Sequence, residues 1–588
     1  MKGFPDKNFP KKIYQFCLHS VRLLMLLFTG MLLVCGFLLT CFSTNMETQE
    51  VLTKWDNPFL SFLGTILIGL IFLFFAAYTS GKNIAFSTHF ATHHSRQRLL
   101  RLFVLCWCVL WGILQILFSK TVPAADAYSV YDIAQSLAAG DTTVIHPTDS
   151  YLSYYPQQIG LAAFWEVLMR IWNLTPIDQH AYHFMKIIYI LLGCVIILFQ
   201  EKTVHILWQD ERTDCLYLLL AGANCPFLMY TSFLYGEIPS FAAISIGFYL
   251  LFRLLTDKTT PRNAWCLAAG SLIFLTLSVM LRKNSLIYII AVVLVLLCTA
   301  CIQQTKRTIL LLLACAYLIC ALTILPGVQK LYEYRSGNTI SSGVPATSYF
   351  AMGMQESSRA NGWYNGFNFN TYQDTGMNRA ATTAISREAI RERLSYFKEH
   401  PGYTVRFYAG KFLSQWMDGT YACRQATLAT FGGRSPFFTS LYEGTYSKYL
   451  IAYCNIYQNI LYLGAFWFCL TSLGRKRAAH SIASSYGITS SHDIKLCHEI
   501  KSHPGHDSIA SNPADEPNSL PSSAPTSSEL FVFLGLIGVF GGFLFHMIWE
   551  GNSRYIFLYG LTLLPYTARG LQLLAATFSN TLHRRKSS

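Results

Sequence analysis

The chain contains few charged residues: Asp, Glu, Lys and Arg make up 13% of its 588 residues. Soluble proteins carry about 25%. This shortage excludes a set of water-soluble domains, because such domains need more polar surface than the sequence provides. Hydrophobic residues reach 52% and occur in blocks of about 20, the length that crosses a hydrocarbon core about 30 Å thick. The composition therefore predicts a protein that crosses a membrane several times.

Cysteine is not scarce, but its distribution argues against a disulfide scaffold. Most of the 17 cysteines lie inside apolar runs, as Cys35, Cys194 and Cys315 do. Cysteines in such surroundings behave as small hydrophobic residues. The large polar segment 327–447 contains only Cys423, so we expect no disulfide framework there.

The net charge of +14 does not indicate a nucleic-acid partner. Lys and Arg form short clusters beside the apolar blocks, which is the pattern that orients membrane helices with their basic ends in the cytoplasm. We therefore expect membrane lipids, and no nucleic acid, around these residues. The clusters are Lys2 to Lys12, Arg96 to Arg101, Arg475 to Arg477 and Arg584 to Lys586.

The apolar blocks predict an all-α polytopic membrane protein with about 12 transmembrane helices. The basic clusters at the two ends place both termini in the cytoplasm, as an even number of spans requires. The predicted spans lie near 20–42, 58–79, 99–119, 181–200, 215–234, 238–256, 264–281, 285–303, 308–326, 448–473, 529–549 and 555–577.

The spans divide the chain into five parts. Residues 1–326 form a transmembrane core with a first outer loop at about 120–180, which includes an interfacial helix near 161–174. Residues 327–447 are predicted to form a mostly helical extracytoplasmic domain between spans nine and ten, with two helices separated at Pro401. The span 448–473 leads into a Ser-, Pro- and His-rich loop, 474–528, whose composition predicts cytoplasmic disorder. Residues 529–588 contain the last two spans and a basic tail.

Three cations on the predicted outer face break the charge rule. Arg282 and Lys283 lie in one short hairpin and Arg554 in another, where topology requires no basic residues. Guanidinium and ammonium groups bind phosphate well, so this pattern indicates an anion site. The alternative is that the two arginines only pair with Glu237, Glu550 or lipid phosphates.

Asp126 follows the third span directly. A carboxylate at this boundary suits a general base or a ligand for a divalent ion. It also suits the start of a helix that runs through Ala138, and the two roles are compatible. Asp132 lies six residues further on, about 240° around a helix, so the two carboxylates do not share a face.

Aromatic and amide side chains surround these positions in the sequence. Tyr154, Tyr155, Gln157 and Gln158 suit a sugar pocket by stacking and hydrogen bonding. Aromatic residues at a membrane interface are the alternative explanation for the tyrosines.

This ordered set resembles the GT-C superfamily of membrane glycosyltransferases, which use polyprenyl-phosphate-linked sugars and include the protein O-mannosyltransferases and the lipid A aminoarabinose transferase. The resemblance extends over most of the chain, except the N-terminal tail and 474–528. The residues that carry it are Asp126 with Tyr128, Tyr154 to Gln158, Tyr235 to Glu237, Arg282 to Asn284, the stretch GWYN, Lys411 with Trp416, and Glu550 with Arg554 and Tyr555.

The resemblance implies a GT-C-like fold and a role for each of these residues. Asp126 would be the catalytic base, and Arg282, Lys283 and Arg554 would bind the donor phosphate. Tyr128, Tyr154, Tyr155, Gln157, Glu237 and Glu550 would bind substrate. Many relatives have adjacent acidic residues in the first outer loop, whereas Ala125 and Ala127 flank Asp126 here. Dependence on a divalent cation such as Mg²⁺ or Mn²⁺ therefore stays open.

The expected activity is transfer of a sugar from a polyprenyl-phosphate-linked donor to an envelope glycan, lipid or protein, on the outer face of a bacterial plasma membrane. The alternatives are a lipid-linked saccharide flippase or secondary transporter, for which 12 spans are common, and a non-enzymatic envelope scaffold. The sequence does not specify the sugar, the acceptor or the oligomeric state.

Overall fold

The computed structural model describes residues 9–43, 48–80, 93–148, 150–176, 181–256, 260–303, 306–485 and 529–587. Two sequence predictions fall partly outside these residues. They are the N-terminal basic cluster, of which Lys2 and Lys7 are not described, and the loop 474–528, of which 486–528 are not described.

Ten helices of the described chain are long and apolar enough to cross a membrane. This confirms an all-α polytopic membrane protein at the level of architecture. The ten are α1 (Phe9–Leu38), α2 (Pro58–Thr79), α3 (His93–Leu114), α7 (Tyr182–Trp208), α10 (Glu237–Thr256), α11 (Pro261–Leu281), α12 (Leu286–Ala300), α13 (Arg307–Ser336), α20 (Ser447–Ser485) and α21 (Leu534–Ile548). A π-helix at Gln115–Ser119 extends α3.

These helices differ in how much of their surface the protein covers. In α2 only 22% of the apolar window is buried, whereas the figure reaches 61% in α10 and α12. Apolar side chains on α2, such as Phe59, Leu60 and Phe74, are more than half exposed, as expected where lipid is the solvent. The interior of the bundle therefore lies around α10 and α12, and α2 lies at its edge.

The prediction of a continuous span at 215–234 is wrong. Residues Glu211–Ala223 form helix α8 and Cys225–Tyr230 form the short helix α9. The break lies at Asn224, whose side-chain oxygen accepts a hydrogen bond of 3.0 Å from the amide of Phe227. Pro226 follows and provides no amide hydrogen for a continuing helix. Residues after Tyr230 are not helical until Glu237, so Phe233 and Tyr235 lie in a loop.

The twelfth predicted span, 555–577, falls within α22, which extends over Ser553–Ser587 and contains Pro565. This helix packs on α20 and α8. It is not among the ten that satisfy the length and hydropathy criteria, although its length is sufficient. Within this helix, the guanidinium of Arg569 pairs with Asp210 at 3.0 Å.

A two-stranded antiparallel sheet interrupts the otherwise helical fold. Strands β1 (Leu39–Ser43) and β2 (Val51–Trp55) pair with Leu39 opposite Trp55. The first span therefore ends at Leu38, before the predicted residue 42. The hairpin is fixed by backbone bonds from Cys41 to Met417 and from Val51 to Arg359, each 2.9 Å.

The segment between α3 and α7, predicted to be the first outer loop, contains three helices and a 3₁₀ turn among its described residues. These are α4 (Asp126–Ala138), α5 (Tyr151–Tyr154), the 3₁₀ turn Pro156–Gln158 and α6 (Ile159–Trp172). Helix α6 confirms the helix predicted near 161–174. Its Glu166 is buried and accepts hydrogen bonds from Arg170 and Arg335, so it attaches the loop to the end of α13.

The segment after α13 is mostly helical. The predicted boundary at residue 327 lies inside α13, because this helix continues past Pro326 and ends before Gly337, whose φ is +71°. Helix α16 ends at Glu399 and α17 begins at Pro401, where the sequence predicts the separation. The helices are α14 (Ala346–Met352), α15 (Phe367–Asp374), α16 (Arg379–Glu399), α17 (Pro401–Trp416), α18 (Cys423–Ala426) and α19 (Pro436–Tyr442).

Helix α20 extends further than the span predicted at 448–473. It continues to Ser485, so the first 12 residues of the segment expected to be disordered are helical. The apolar window ends at Leu473, and the helix beyond it contains the Arg475–Arg477 cluster.

Candidate functional site

A buried carboxylate with two guanidinium groups lies at one end of the bundle. Glu237 begins α10 and is only 1% exposed. Its Oε1 lies 2.7 Å from Arg282, at the end of α11, and 3.6 Å from Arg554, at the start of α22. The pairing that the sequence left as an alternative is therefore present for both arginines. With two cations and one anion, the triad keeps an excess positive charge.

Aromatic rings surround the Arg554 guanidinium. Its Cζ lies 5.9 Å from the ring centre of Phe233, 5.3 Å from Tyr235 and 5.7 Å from Tyr555. Cations lie favourably near the faces of such rings. The loop between α9 and α10 thus supplies two of the three rings, and the break in the predicted span 215–234 is what brings them here.

Asp126 is the first residue of α4, and Ala125 rather than Asp126 occupies the capping position. Ala125 has a φ of +47°, a strained conformation for a residue with a side chain. No side chain caps this helix. Asp126 is exposed, and a carboxylate in a first helical turn is favoured by the helix dipole.

Asp126 and Arg554 line one cavity of about 350 Å³, within the range typical of small-molecule sites. The hairpin contributes Ser43, Gln49 and Val51 to its wall, and the α21–α22 loop contributes Asn552 and Ser553. The other lining residues are Ala124, Ala125, Ala127, Phe233, Trp363, Asp418, Ala422, Gln425, Ala426, Leu428 and Ala429. Six parts of the chain that are distant in sequence therefore build one concave surface with both polar and apolar lining.

The three predicted phosphate-binding cations occupy different environments. Arg554 borders the cavity, whereas Arg282 lies behind it, 10% exposed and bound to Glu237. Lys283 is exposed and is not among the lining residues. Tyr128, predicted to bind substrate, is 53% exposed and does not line the cavity either.

The predicted sugar-binding stretch divides into two environments. Tyr154 is buried and stacks on Phe369 with ring centres 4.7 Å apart, so it packs the first outer loop against α15. Tyr155 is half buried, and burial together with the charges of Asp126 and Glu550 raises the pKa of its hydroxyl. Gln157 is half buried, and its neighbour Gln158 donates a hydrogen bond to the Tyr235 hydroxyl.

Glu550 lies in the loop between α21 and α22 and is 9% exposed. Its Oε1 accepts a hydrogen bond of 3.2 Å from the Tyr555 hydroxyl. Burial raises the pKa of this carboxyl to about 7, an effect that the Tyr555 bond and Arg554 oppose. A carboxyl group that titrates near neutral pH is suited to proton transfer.

Asp418 is a lining residue that sequence reasoning missed. It is 4% exposed and accepts hydrogen bonds from the amide and hydroxyl of Thr420, the amide of Ala422 and the hydroxyl of Ser553. Burial raises the pKa of its carboxyl despite these four bonds. The sequence signal was a lone acidic residue in WMDGT, directly after the amphipathic helix α17, which is too common a pattern to single out.

Among the residues that the structure describes, no group of three or more His, Cys, Asp or Glu side chains is arranged to hold a metal ion. The requirement for a divalent cation therefore stays an open prediction.

Comparison with known proteins gives no assignment beyond this geometry. No family model, no curated protein and no solved structure matches the chain.

Proposed function

We propose that this membrane protein is a glycosyltransferase that transfers a sugar from a polyprenyl-phosphate-linked donor to an envelope glycan, lipid or protein. The observation that carries the proposal is the shared cavity of Asp126 and Arg554. It combines a carboxylate that can accept a proton with a guanidinium that can bind a phosphate.

The position of the cavity supports a lipid-linked donor. Glu237 lies in the first turn of the apolar helix α10, and Arg554 lies in the first turn of α22. We place these two helix ends at the depth of a lipid head group. A polyprenyl phosphate enters such a site from the bilayer, with its tail against the apolar helices and its phosphate near the excess positive charge of the triad. The Ala-rich and amide-containing wall leaves room for a hydroxylated ring.

The proposed reaction is a single displacement. Asp126 accepts the proton of an acceptor hydroxyl, and the oxygen forms a bond to the anomeric carbon with inversion. The bond between this carbon and the donor phosphate oxygen breaks, and the electron pair leaves with the polyprenyl phosphate. Arg554 stabilises the charge that develops there, and Arg282 supports it through Glu237.

The decisive experiment replaces Asp126 by Asn in the full chain, purified in detergent and supplied with a panel of polyprenyl-phosphate hexoses. Transfer should be lost while expression and thermal stability are retained. Asp132→Asn is the matched control, because this residue lies in the same helix, is also exposed and is outside the cavity. Unchanged transfer in Asp126→Asn would remove this carboxylate as the base.

The same preparation distinguishes the rival functions. A flippase or transporter moves its lipid-linked saccharide across the bilayer of sealed vesicles without cleaving the sugar phosphate. A scaffold tolerates combined loss of Asp126 and Arg282 in cells. Sugar release from the donor, dependent on Asp126, is expected only of the transferase.

A further inference from the structure

The loop Trp549–Ser553, which ends with the first residue of α22, joins α21 to α22, carries Glu550 and leads directly into Arg554. It is short and lies at the edge of the cavity. Its orientation therefore decides where two charged groups of the site point. The segment between α13 and α20 contacts this loop at its start, its middle and its end.

Lys411, on α17, holds the start of the loop. Its side chain is completely buried, and the ammonium donates hydrogen bonds to the carbonyl of Gly353 and, at 2.7 Å, to that of Trp549. The second carbonyl belongs to the residue just before Glu550. One ammonium thus connects the GWYN region, through Gly353, to the loop.

The middle of the loop pairs with the GWYN stretch. The amide of Gly551 donates to the carbonyl of Gly362 at 2.8 Å, and Trp363 forms a parallel bridge with Gly551. The indole of Trp363 donates to Ser414 on α17 at 2.9 Å. A Cβ atom on Gly551 would approach the Gln415 amide nitrogen to 2.8 Å, so this contact leaves no space.

Asp418, two residues after α17, holds the end of the loop. Its carboxylate accepts a 2.7 Å bond from the hydroxyl of Ser553, the first residue of α22. The next residue is Arg554. Lys411 on α17 and Asp418 just after it are both buried, and they hydrogen-bond to the first and last residues of this loop.

These two groups are costly to bury. Burial lowers the pKa of the Lys411 ammonium to about 7, and neither Lys411 nor Asp418 forms an ion pair within the described chain. Apolar side chains of similar volume would stabilise a protein interior at least as well. Such groups are therefore explained better by the orientation they impose than by their contribution to stability.

We propose that Lys411 and Asp418 are positioning residues, which act together through the loop Trp549–Ser553 to hold Glu550 against Tyr555 and to direct Arg554 toward the cavity. The proposal extends the function proposed above, since it assigns the α17 region to the geometry of the site. It does not depend on the identity of the sugar or the acceptor.

The test measures the loop and the phosphate site separately in the full chain, in detergent. Lys411→Met and Asp418→Asn should each accelerate amide hydrogen exchange in the peptide that contains Gly551. Each should also weaken binding of farnesyl phosphate by about tenfold or more, because small displacements of a positioned group have effects of this size. Ser553→Ala is a milder variant that removes the Asp418 bond from the other side and keeps the carboxylate hydrogen-bonded.

A purely structural role would not move the pH dependence of binding. Ionisation of Glu550 places a negative charge near Arg554, so binding weakens as pH rises through the pKa of this carboxyl. Lys411 favours ionised Glu550, and Lys411→Met should therefore move the midpoint to higher pH. The groups that face Glu550 are Asp126, Arg359, Lys411 and Arg554, with the hydroxyls of Tyr155, Tyr349, Tyr364 and Tyr555.

Lys398→Met and Asp374→Asn are matched controls, because both residues are exposed in the same segment and should change neither measurement. Unaltered exchange at Gly551 in all three loop variants would overturn the proposal, and so would unaltered phosphate binding despite a loosened loop. If the unmodified chain does not bind farnesyl phosphate, the glycosyl-transfer proposal fails, and hydrogen exchange alone decides whether the loop is held as described.

Discussion

Glu237 is the most constrained charge of the site, because it is buried against Arg282 and Arg554 at once. Breaking a buried ion pair costs more than its formation gains, since the remaining charge has no partner. The negative charge of Glu237 therefore reduces the repulsion between the two guanidinium groups when no phosphate is bound.

Replacing Glu237 by Gln should destabilise the protein by about 3 kcal/mol, because two partly buried cations then lose their counter-ion. Thermal unfolding in detergent measures the effect. Glu388→Gln is the control, since Glu388 pairs with Arg391 on an exposed surface, where such a pair contributes about 1 kcal/mol at most. Equal effects of the two substitutions would contradict the importance of the buried triad.

Glu550 and Glu166 should affect stability in separate pH windows. The pKa of Glu550 is raised from 4.5 to about 7 by burial, so its stabilising contribution is complete below pH 4.5 and disappears as pH rises to 7. The pKa of Glu166 is lowered to about 2; burial opposes this shift, and bonds from Arg335, Tyr332 and Arg170 outweigh burial. Its contribution is present above pH 4.5 and is lost as pH falls toward 2.

Unfolding temperatures of the unmodified chain and of Glu550→Gln, recorded from pH 4.5 to 8, test the first window. As pH rises, the unmodified chain should lose stability relative to Glu550→Gln by about 3 kcal/mol over this range, because the neutral amide of the variant has no proton to lose. Glu166→Gln should instead be less stable than the unmodified chain across this whole range. Parallel curves for Glu550→Gln would show that this carboxyl does not titrate near neutral pH.

At the scale of elements, apolar length was sufficient for most membrane helices, because a span needs only about 20 apolar residues. Prediction from apolar length alone failed at two places. The break at Asn224, followed by Pro226, interrupts a run that is apolar enough to cross a membrane. Residues 39–43 form a strand although they continue an apolar block. Short apolar runs do not distinguish helix from strand by periodicity, and the partner strand Val51–Trp55 is recognisable only from the fold.

Two glycines allow the effect of a tight contact to be compared with the effect of glycine flexibility in a helix. A Cβ atom on Gly362 would approach the carbonyl oxygen of Gly353 and the Lys411 side chain to 2.6 Å, at a φ of +69°. Gly362→Ala should therefore destabilise the fold and accelerate hydrogen exchange at Gly551. A Cβ atom on Gly327, inside α13, would meet no atom within 4 Å. Gly327→Ala should therefore raise stability by about 0.5–1 kcal/mol. Similar unfolding temperatures for the two variants would contradict the tight contact.

At the scale of the whole molecule, the sequence predicted which charged residues lie near each other, but not which of the predicted site residues are buried by packing between distant segments. Asp126, Glu237, Arg282, Glu550 and Arg554 all lie at one end of the bundle. The burial of Tyr154 against α15 depends on how the segment after α13 folds over the segment between α3 and α7. No periodicity within either segment reports such contacts, because they join parts of the chain that are distant in sequence.

The orientation of the bundle is testable at the two ends of α11. Arg262 and Lys283 lie at opposite ends of this helix, and both are exposed. In intact cells, a membrane-impermeant maleimide should label Lys283→Cys, whereas Arg262→Cys should react only after permeabilisation. The unmodified chain controls for its native cysteines. Labelling of the reverse pattern would place the cavity in the cytoplasm, and labelling of both would show that α11 does not cross the membrane.

The order in which the site is synthesised follows from the loop between α21 and α22. Because Arg554 follows Asp126, Glu237 and Arg282 in the sequence, a growing chain that already contains those three residues still lacks the second cation and the wall formed by Asn552 and Ser553. Until α22 packs against the bundle, Glu237 has one partner and the cavity stays open on one side. Premature termination before this helix would therefore leave an inserted protein without a closed binding site.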